Sequence, residues 1–277
     1  MTSSDAVNQK LFSIILATYN CGRKVENTLR SILSQNKELF ELIVVDGAST
    51  DETLDYIKKY ENRLTLISQP DKGVYDAFNK GIERATGEYL YFIGGGDCLR
   101  ADVLSLVKTF VPTEAPAFIY GDAFFISENI IHGGEFCPMR IKTQNICHQS
   151  IFYHRDIFKL HGKYEKKYKI YADWSLNLKC YGNPKIKKQY IQHLIADFEG
   201  GGLSANTIDT KFLRHLPRLI RKNFGVESYL QHVLPLMPFD AYSKFYVPHF
   251  RPYIQALKHS KGNINRLRNL LNFNKKS

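Results

Sequence analysis

A chain of 277 residues that is 44% hydrophobic and 23% charged has ordinary globular composition, with room for one large domain or a domain with an appendage. No apolar run approaches the ~20 residues of a membrane-spanning helix, and five cysteines at irregular spacing with no C-x-x-C pair fit reduced thiols in a cytosol better than a disulfide framework. The net charge of +11 is concentrated at one end: residues 207–277 hold 13 Lys and Arg against 3 Asp and Glu, which leaves the rest of the chain close to neutral.

In chain order, residues 11–19 read as a first buried strand rather than the apolar stretch of a secretory leader, since Lys10 is the only cation before them and no cleavage site follows. Residues 24–35 place Val25, Leu29, Ile32 and Leu33 on one helical face. Residues 39–45 are a second strand that ends at Asp46. Ser49-Thr-Asp-Glu52 has the form of a capping box, opening a helix that turns Leu54 and Ile57 inward. Residues 64–67 form a short third strand. Asp71-Lys72-Gly73 opens a helix with Val74, Phe78 and Ile82 at steps of four, closed by Gly87. A fourth strand, 88–93, runs into Gly94-Gly95-Gly96-Asp97. This alternation of strands and helices predicts an α/β fold with a mostly parallel, doubly wound sheet flanked by helices.

The second half is less regular. Residues 117–120 and 150–153 read as strands, 155–161 and 171–181 as helices, and 189–198 as a strand leading into Gly200-Gly-Gly202. Residues 207–277 contain five prolines, at 217, 235, 238, 248 and 252, expected to divide them into short helices. Within them, residues 212–222 mix apolar and basic side chains at helical spacing.

Polar groups recur at the strand ends: Thr18-Tyr19-Asn20, then Asp46, then Asp71-Lys72, then Asp97. Asp and Asn also serve as caps and turns. In a parallel sheet, however, all four groups meet at the carboxyl edge, where open α/β sheets bind ligands. Asp76 and Asn79 follow Lys72 on the polar face of their helix. Gly94 and Gly96 supply two glycines of G-x-G-x-x-G, but Leu99 stands at the third, so the loop is not a dinucleotide fingerprint. There is no Walker A sequence. The His residues lack ligand spacing for zinc.

Five segments taken together resemble a family 2 glycosyltransferase of the GT-A (Rossmann-like) fold, in a bacterial polysaccharide-biosynthesis subgroup. They are Phe12-Ser-Ile-Ile-Leu-Ala-Thr-Tyr-Asn20, Val44-Val-Asp-Gly-Ala-Ser-Thr-Asp51, Gln69-Pro-Asp-Lys-Gly-Val-Tyr-Asp-Ala-Phe-Asn-Lys-Gly81, Gly87-Glu-Tyr-Leu-Tyr-Phe-Ile93 and Gly95-Gly-Asp97. Cys147-His-Gln-Ser150, Ala172-Asp173-Trp174 and Gly200-Gly-Gly-Leu-Ser204 are similar to the acceptor half of that subgroup. The resemblance implies one domain over 1–206, with a nucleotide-sugar half at 10–100 and an acceptor half at 101–206, followed by a basic helical extension at 207–277.

It also implies a reaction: a sugar passes from a nucleotide diphosphate donor, UDP-linked by first choice, to an acceptor hydroxyl with inversion. Asp97 would be the last acid of the D-x-D motif and the contact for Mg²⁺ or Mn²⁺, while Gly95 replaces the first acid and Gly47 the second of an acidic pair. Thr18, Tyr19, Asn20, Asp46, Lys72, Asp76, Asn79, Gly95 and Gly96 would bind the nucleotide sugar. Asp173 would be the general base, with His148, Gln149 and Trp174 at the acceptor. The expected partners are the donor and a glycan or polyprenyl-linked acceptor. An anionic membrane surface is expected to meet 207–277 in a cytoplasmic, peripherally bound protein, and nucleic acid is not expected. A nucleotidyltransferase on a similar sheet, or a non-catalytic binding subunit, stands as the alternative.

Overall fold

The computed structural model describes residues 10–113, 116–200 and 207–233. Its frame is a sheet in which β1 (Phe12–Thr18), β2 (Phe40–Asp46), β3 (Thr65–Ser68) and β4 (Tyr89–Gly94) lie side by side in the order β3-β2-β1-β4, all parallel. β1 and β4 are buried on both faces, so they are apolar at nearly every position instead of alternating. The crossover helices α1 (Lys24–Leu33), α2 (Thr53–Lys58) and α3 (Val74–Arg84) separate the strands.

Beyond β4 the sheet becomes mixed. After β5 (Cys98–Leu99) and α4 (Val103–Lys108), β6 (Ala117–Phe125) forms a hairpin with β7 (Ile130–His132). β8 (Ile151–His154) lies antiparallel between β4 and β6, and β9 (Lys187–Phe198) runs parallel to β6 and antiparallel to β5. α5 (Asp156–His161), α6 (Ala172–Gly182) and α7 (Thr210–Val233) complete the described chain.

Two apolar layers sandwich the sheet. On β1, Phe12, Ile14 and Leu16 face the cluster under α1, α2 and α4, while Ile15 and Ala17 face the one under α3, α5, α6 and α7. α6 is buried around almost its whole circumference, because the sheet covers one side and α7 the other. α7 contributes Phe212, Leu216 and Ile220 to that core, and the Phe212 ring lies 5.1 Å from Trp174. The helix at the start of the 207–277 segment is therefore packed onto α6 and shares its core.

Three local expectations are corrected. Ser49 does not cap α2: its hydroxyl donates to Asp46 instead, and Asp51 accepts the Thr53 N–H, so the helix starts later. Gly87 does not close α3, which ends at Arg84 with Ala85 as its cap. A Cβ at Gly87 would lie 2.6 Å from the Ser13 nitrogen, so the glycine is needed for close approach to β1. Pro217 lies inside α7 without ending it, where burial of the flanking Leu216 and Ile220 holds the helix, and the break comes at Gly225 (φ 85°). The other four prolines, like residues 201–206 and 234–277, lie outside the described residues.

Candidate active site

The strand order turns between β1 and β4, which opens a crevice at their carboxyl ends. Thr18 and Gly94 reach that edge from neighbouring strands, and the Gly95 N–H returns to the Ala17 carbonyl at 3.0 Å. Gly95 has no room for a side chain, since its Cβ would fall 2.5 Å from Cys21 Sγ. Gly96 has φ +114° and donates its N–H to Thr28 Oγ1 at 2.9 Å. The loop is thus fixed through its backbone and delivers Asp97 into the crevice.

Asp46 is fully enclosed. Thr18 Oγ1 (3.1 Å) and Ser49 Oγ (2.5 Å) donate to its Oδ1, and Ser49 N (2.9 Å) and Ser68 Oγ (2.9 Å) to its Oδ2. A carboxylate has about four acceptor positions, and all are used here. Asp46, expected to contact a nucleobase, here ties β1, β2 and β3 together. Tyr19 is 63% exposed and lies against Gly47, where a Cβ would also meet Asp71 Oδ2 at 2.8 Å. A carboxylate from β3's exit therefore stands beside the glycine that replaces an acid. Asn20 adopts φ 47° and accepts the Thr50 N–H at 2.9 Å, which holds the loop that presents Tyr19.

The α3 residues divide. Lys72 is exposed, and its N–H donates to Asp76. Asp76 also pairs with Lys166 at 2.8 Å, and Asn79 exchanges two hydrogen bonds with the Tyr164 backbone. In the structure the polar atoms of Asp76 and Asn79, expected at the nucleotide sugar, join α3 to the segment before α6.

Asp97 is 7% exposed. Its Oδ2 accepts Gln149 Nε2 at 2.7 Å and its Oδ1 the Glu199 N–H at 3.1 Å. Burial outweighs these bonds and pushes its pKa up to about 6. Asp173 lies in the first turn of α6 and is likewise raised to about 6 by burial. Its Oδ1 accepts Tyr75 Oη (2.8 Å) and the Trp174 N–H (2.8 Å), and its Oδ2 accepts Asn145 Nδ2 (2.8 Å). Tyr75 and Asn145 are site residues that sequence reasoning missed. Tyr75 lies inside the third of the five motif segments, but nothing local marks its partner, which is 98 residues away.

A single 3-10 turn, His148–Ser150, joins the two carboxylates. Gln149 holds Asp97, and His148 Nδ1 stands 3.9 Å from Asp173 Oδ2. Burial lowers the His148 pKa to about 4, so the ring is neutral at neutral pH. Trp174 is corrected from an acceptor contact to a core residue: it is 3% exposed, packs against Phe212 and donates its indole N–H to the Ile141 carbonyl.

The donor set can be tested against a divalent cation. No group of three or more His, Cys, Asp or Glu placed to hold a metal ion by itself occurs among the described residues. Mg²⁺ and Mn²⁺ on a nucleotide need only one or two protein carboxylates, the phosphates supplying the rest. Asp97, with acceptor capacity left on its carboxylate, fits that requirement.

A doubly wound sheet whose carboxyl edge gathers a glycine loop and two desolvated carboxylates is the frame of a group-transfer enzyme. Residues 13–159 match the model of Glycosyl transferase family 2, and the chain belongs to that family. It is a glycosyltransferase of glycan biosynthesis. It is 41% identical over 219 residues to the PGL/p-HBAD biosynthesis glycosyltransferase of Mycobacterium bovis (strain BCG / Pasteur 1173P2), covering 76% of this chain and 86% of that one. It is 32% identical over 134 residues to the Escherichia coli UDP-Glc:alpha-D-GlcNAc-diphosphoundecaprenol beta-1,3-glucosyltransferase WfaP, covering 48% of this chain and 53% of that one. The fold matches S. aureus TarS 1–349 in complex with UDP-GlcNAc, with a TM-score of 0.69 at 20% identity over 90% of this chain and 80% of that one.

Proposed function

We propose that this glycosyltransferase works with inversion, moving a sugar from a UDP-sugar to a hydroxyl of a lipid-linked saccharide. The observation that supports the reading is two desolvated carboxylates set against consecutive residues: Gln149 hydrogen-bonds Asp97, and the neutral His148 ring stands 3.9 Å from Asp173. Inversion requires a base and a leaving group on opposite sides of the anomeric carbon. Asp173 is the base. Its Oδ1 is filled by Tyr75 and the Trp174 N–H, so Oδ2 takes the proton of the acceptor hydroxyl. The freed oxygen attacks the anomeric carbon as the nucleoside diphosphate departs.

Asp97 is the residue that would hold Mg²⁺ or Mn²⁺, which supplies charge neutralisation for the departing diphosphate. The exposed ring of Tyr19 covers the base, with Asp71 beside Gly47 within reach of its polar edge. Thr18 and Asn20 shape that pocket, Gly95 and Gly96 let the diphosphate approach the backbone, and Lys72 offers it a charge. The UDP-GlcNAc complex of TarS supports the choice of nucleotide, and the name of the Escherichia coli relative supports a diphosphoundecaprenol-type acceptor.

An acceptor of that kind lies in a membrane. No helix among the described residues is long and apolar enough to cross one. Lys211, Arg214, Arg218, Arg221 and Lys222 are exposed on α7 at spacings of three, four, three and one, which is a single helical face. The opposite face is already buried against α6, so attachment to an anionic surface by this helix is through charge and not through insertion. Co-sedimentation with anionic vesicles at low salt, lost at high salt, is the expected behaviour.

The test of the whole reading is transfer from UDP-sugars to a polyprenyl-diphosphate saccharide with Mn²⁺ present or chelated, and the product anomer determined by NMR. Retention of the donor's anomeric configuration would rule out single displacement. Activity independent of divalent cations would remove the role given to Asp97.

A further inference from the structure

The glycine loop is touched by a carboxylate that the D-x-D resemblance does not assign. β9 ends at Phe198, and Glu199 follows it back over the loop. Its N–H donates to Asp97 Oδ1 at 3.1 Å, and its Oε2 lies 2.5 Å from where a Cβ on Gly96 would be. Gly96 therefore serves twice: its φ of +114° turns the loop, and its missing side chain leaves the space that Glu199 occupies. The other oxygen, Oε1, pairs with Lys24 Nζ at 2.7 Å, from the first residue of α1. The Lys24 side chain is 65% exposed and that of Glu199 38%. An ion pair this open contributes little to stability, so the fold alone gives little reason for it to sit here.

Its position has a chemical use. Asp97 is a single carboxylate, and a cation carried by a diphosphate accepts one or two from the protein. We propose that Glu199 is a second cation ligand of the donor site and that Lys24 is its counter-ion in the donor-free protein. When a nucleoside diphosphate arrives with its cation, the Glu199 carboxylate exchanges ammonium for metal, and Lys24 exchanges carboxylate for a phosphate oxygen. No charge is left unpaired on either side of the exchange. The acid missing at Gly95 is thereby supplied from the end of β9, 102 residues from Asp97. This inference rests on the reading of Asp97 as a cation contact.

The experiment measures Mn²⁺ binding to the full chain by the EPR signal of the free ion, with and without UDP. Asp97→Asn should abolish UDP-dependent Mn²⁺ binding. Glu199→Gln should weaken it by about tenfold or more while metal-free UDP binding is kept or tightened, because Lys24 loses its competing carboxylate. Lys24→Gln should tighten Mn²⁺ binding in the absence of UDP and weaken metal-free UDP binding. Wild-type UDP-dependent Mn²⁺ affinity in Glu199→Gln, with loss in Asp97→Asn, would overturn the proposal and leave Asp97 in place. Wild-type affinity in Asp97→Asn would instead remove the reading beneath it. If Glu199→Gln does not fold, Lys24→Gln decides alone, because it alters only an exposed side chain.

Discussion

The parallel interior of the sheet and the seam where it passes into the mixed half treat their carboxylates differently. Asp46, at the parallel edge, is enclosed and accepts four hydrogen bonds, two on each oxygen. Asp97 and Asp173 are almost as deeply buried but have fewer donors, and both are raised to about 6. Asp97 receives bonds from Gln149 and Glu199, and Asp173 from Tyr75, Asn145 and Trp174. Burial does not distinguish the three residues. Unused acceptor capacity does, and it is found where the parallel strands meet the mixed ones.

The largest effect that could break this contrast is on catalysis. Asp173→Asn keeps the shape but cannot take a proton, so transfer should fall by about 10²–10⁴-fold with donor affinity retained. A variant that keeps more than about a tenth of the rate would place the base elsewhere. Next comes a residue that only supports the mixed half. Phe212→Ala should lower unfolding stability by about 3–5 kcal/mol in a urea titration and leave the pH profile of the surviving activity unchanged.

The contrast is sharpened by two Asn substitutions of opposite sign. Asp46→Asn leaves buried donors unmatched and should cost about 1–3 kcal/mol. Asp97→Asn should stabilise the protein at pH 8, by an amount on the order of 1–3 kcal/mol. The folded pKa of Asp97, about 6, lies above its ordinary value of 3.8, so the stability this group contributes is fully present below that ordinary value and is lost as pH rises through about 6. The gain should therefore vanish in melts below about pH 4. Equal signs for the two variants would refute the comparison.

The smallest effect is a shift of titration. With Asp173 as the proposed base, wild-type kcat should fall as pH drops through about 6, a window in which His148 stays neutral. Tyr75→Phe removes a donor that holds this pKa down. The acid limb should move to higher pH by up to about one unit, which a kcat–pH profile would record.

Much of the parallel half is legible in the chain. Apolar runs bounded by Thr18, Asp46 and Asp97 give its strands, and parallel order gives the shared edge. The motif resemblance then points to Asp97 and Asp173. What the sequence does not show are contacts that close across the mixed half. Gln149 reaches Asp97 over 52 residues, and the pairing of β4 with β8 that makes this possible follows from no local periodicity. Gly87 and Ser49 misled for a related reason. Each has the residue type of a helix signal, and each is used by a neighbouring strand: Gly87 by β1 and Ser49 by Asp46 of β2.

The turn at His148–Ser150 has a kinetic consequence. Gln149 is fixed by Asp97, and the adjacent His148 stands against Asp173, so a donor that reorients Asp97 would pull on the backbone that borders the proposed base. The acceptor would then meet a finished site only after the donor is in place. Initial-rate patterns should be those of a compulsory order, with the sugar nucleotide first, and product inhibition by the free nucleoside diphosphate should be competitive with the donor alone.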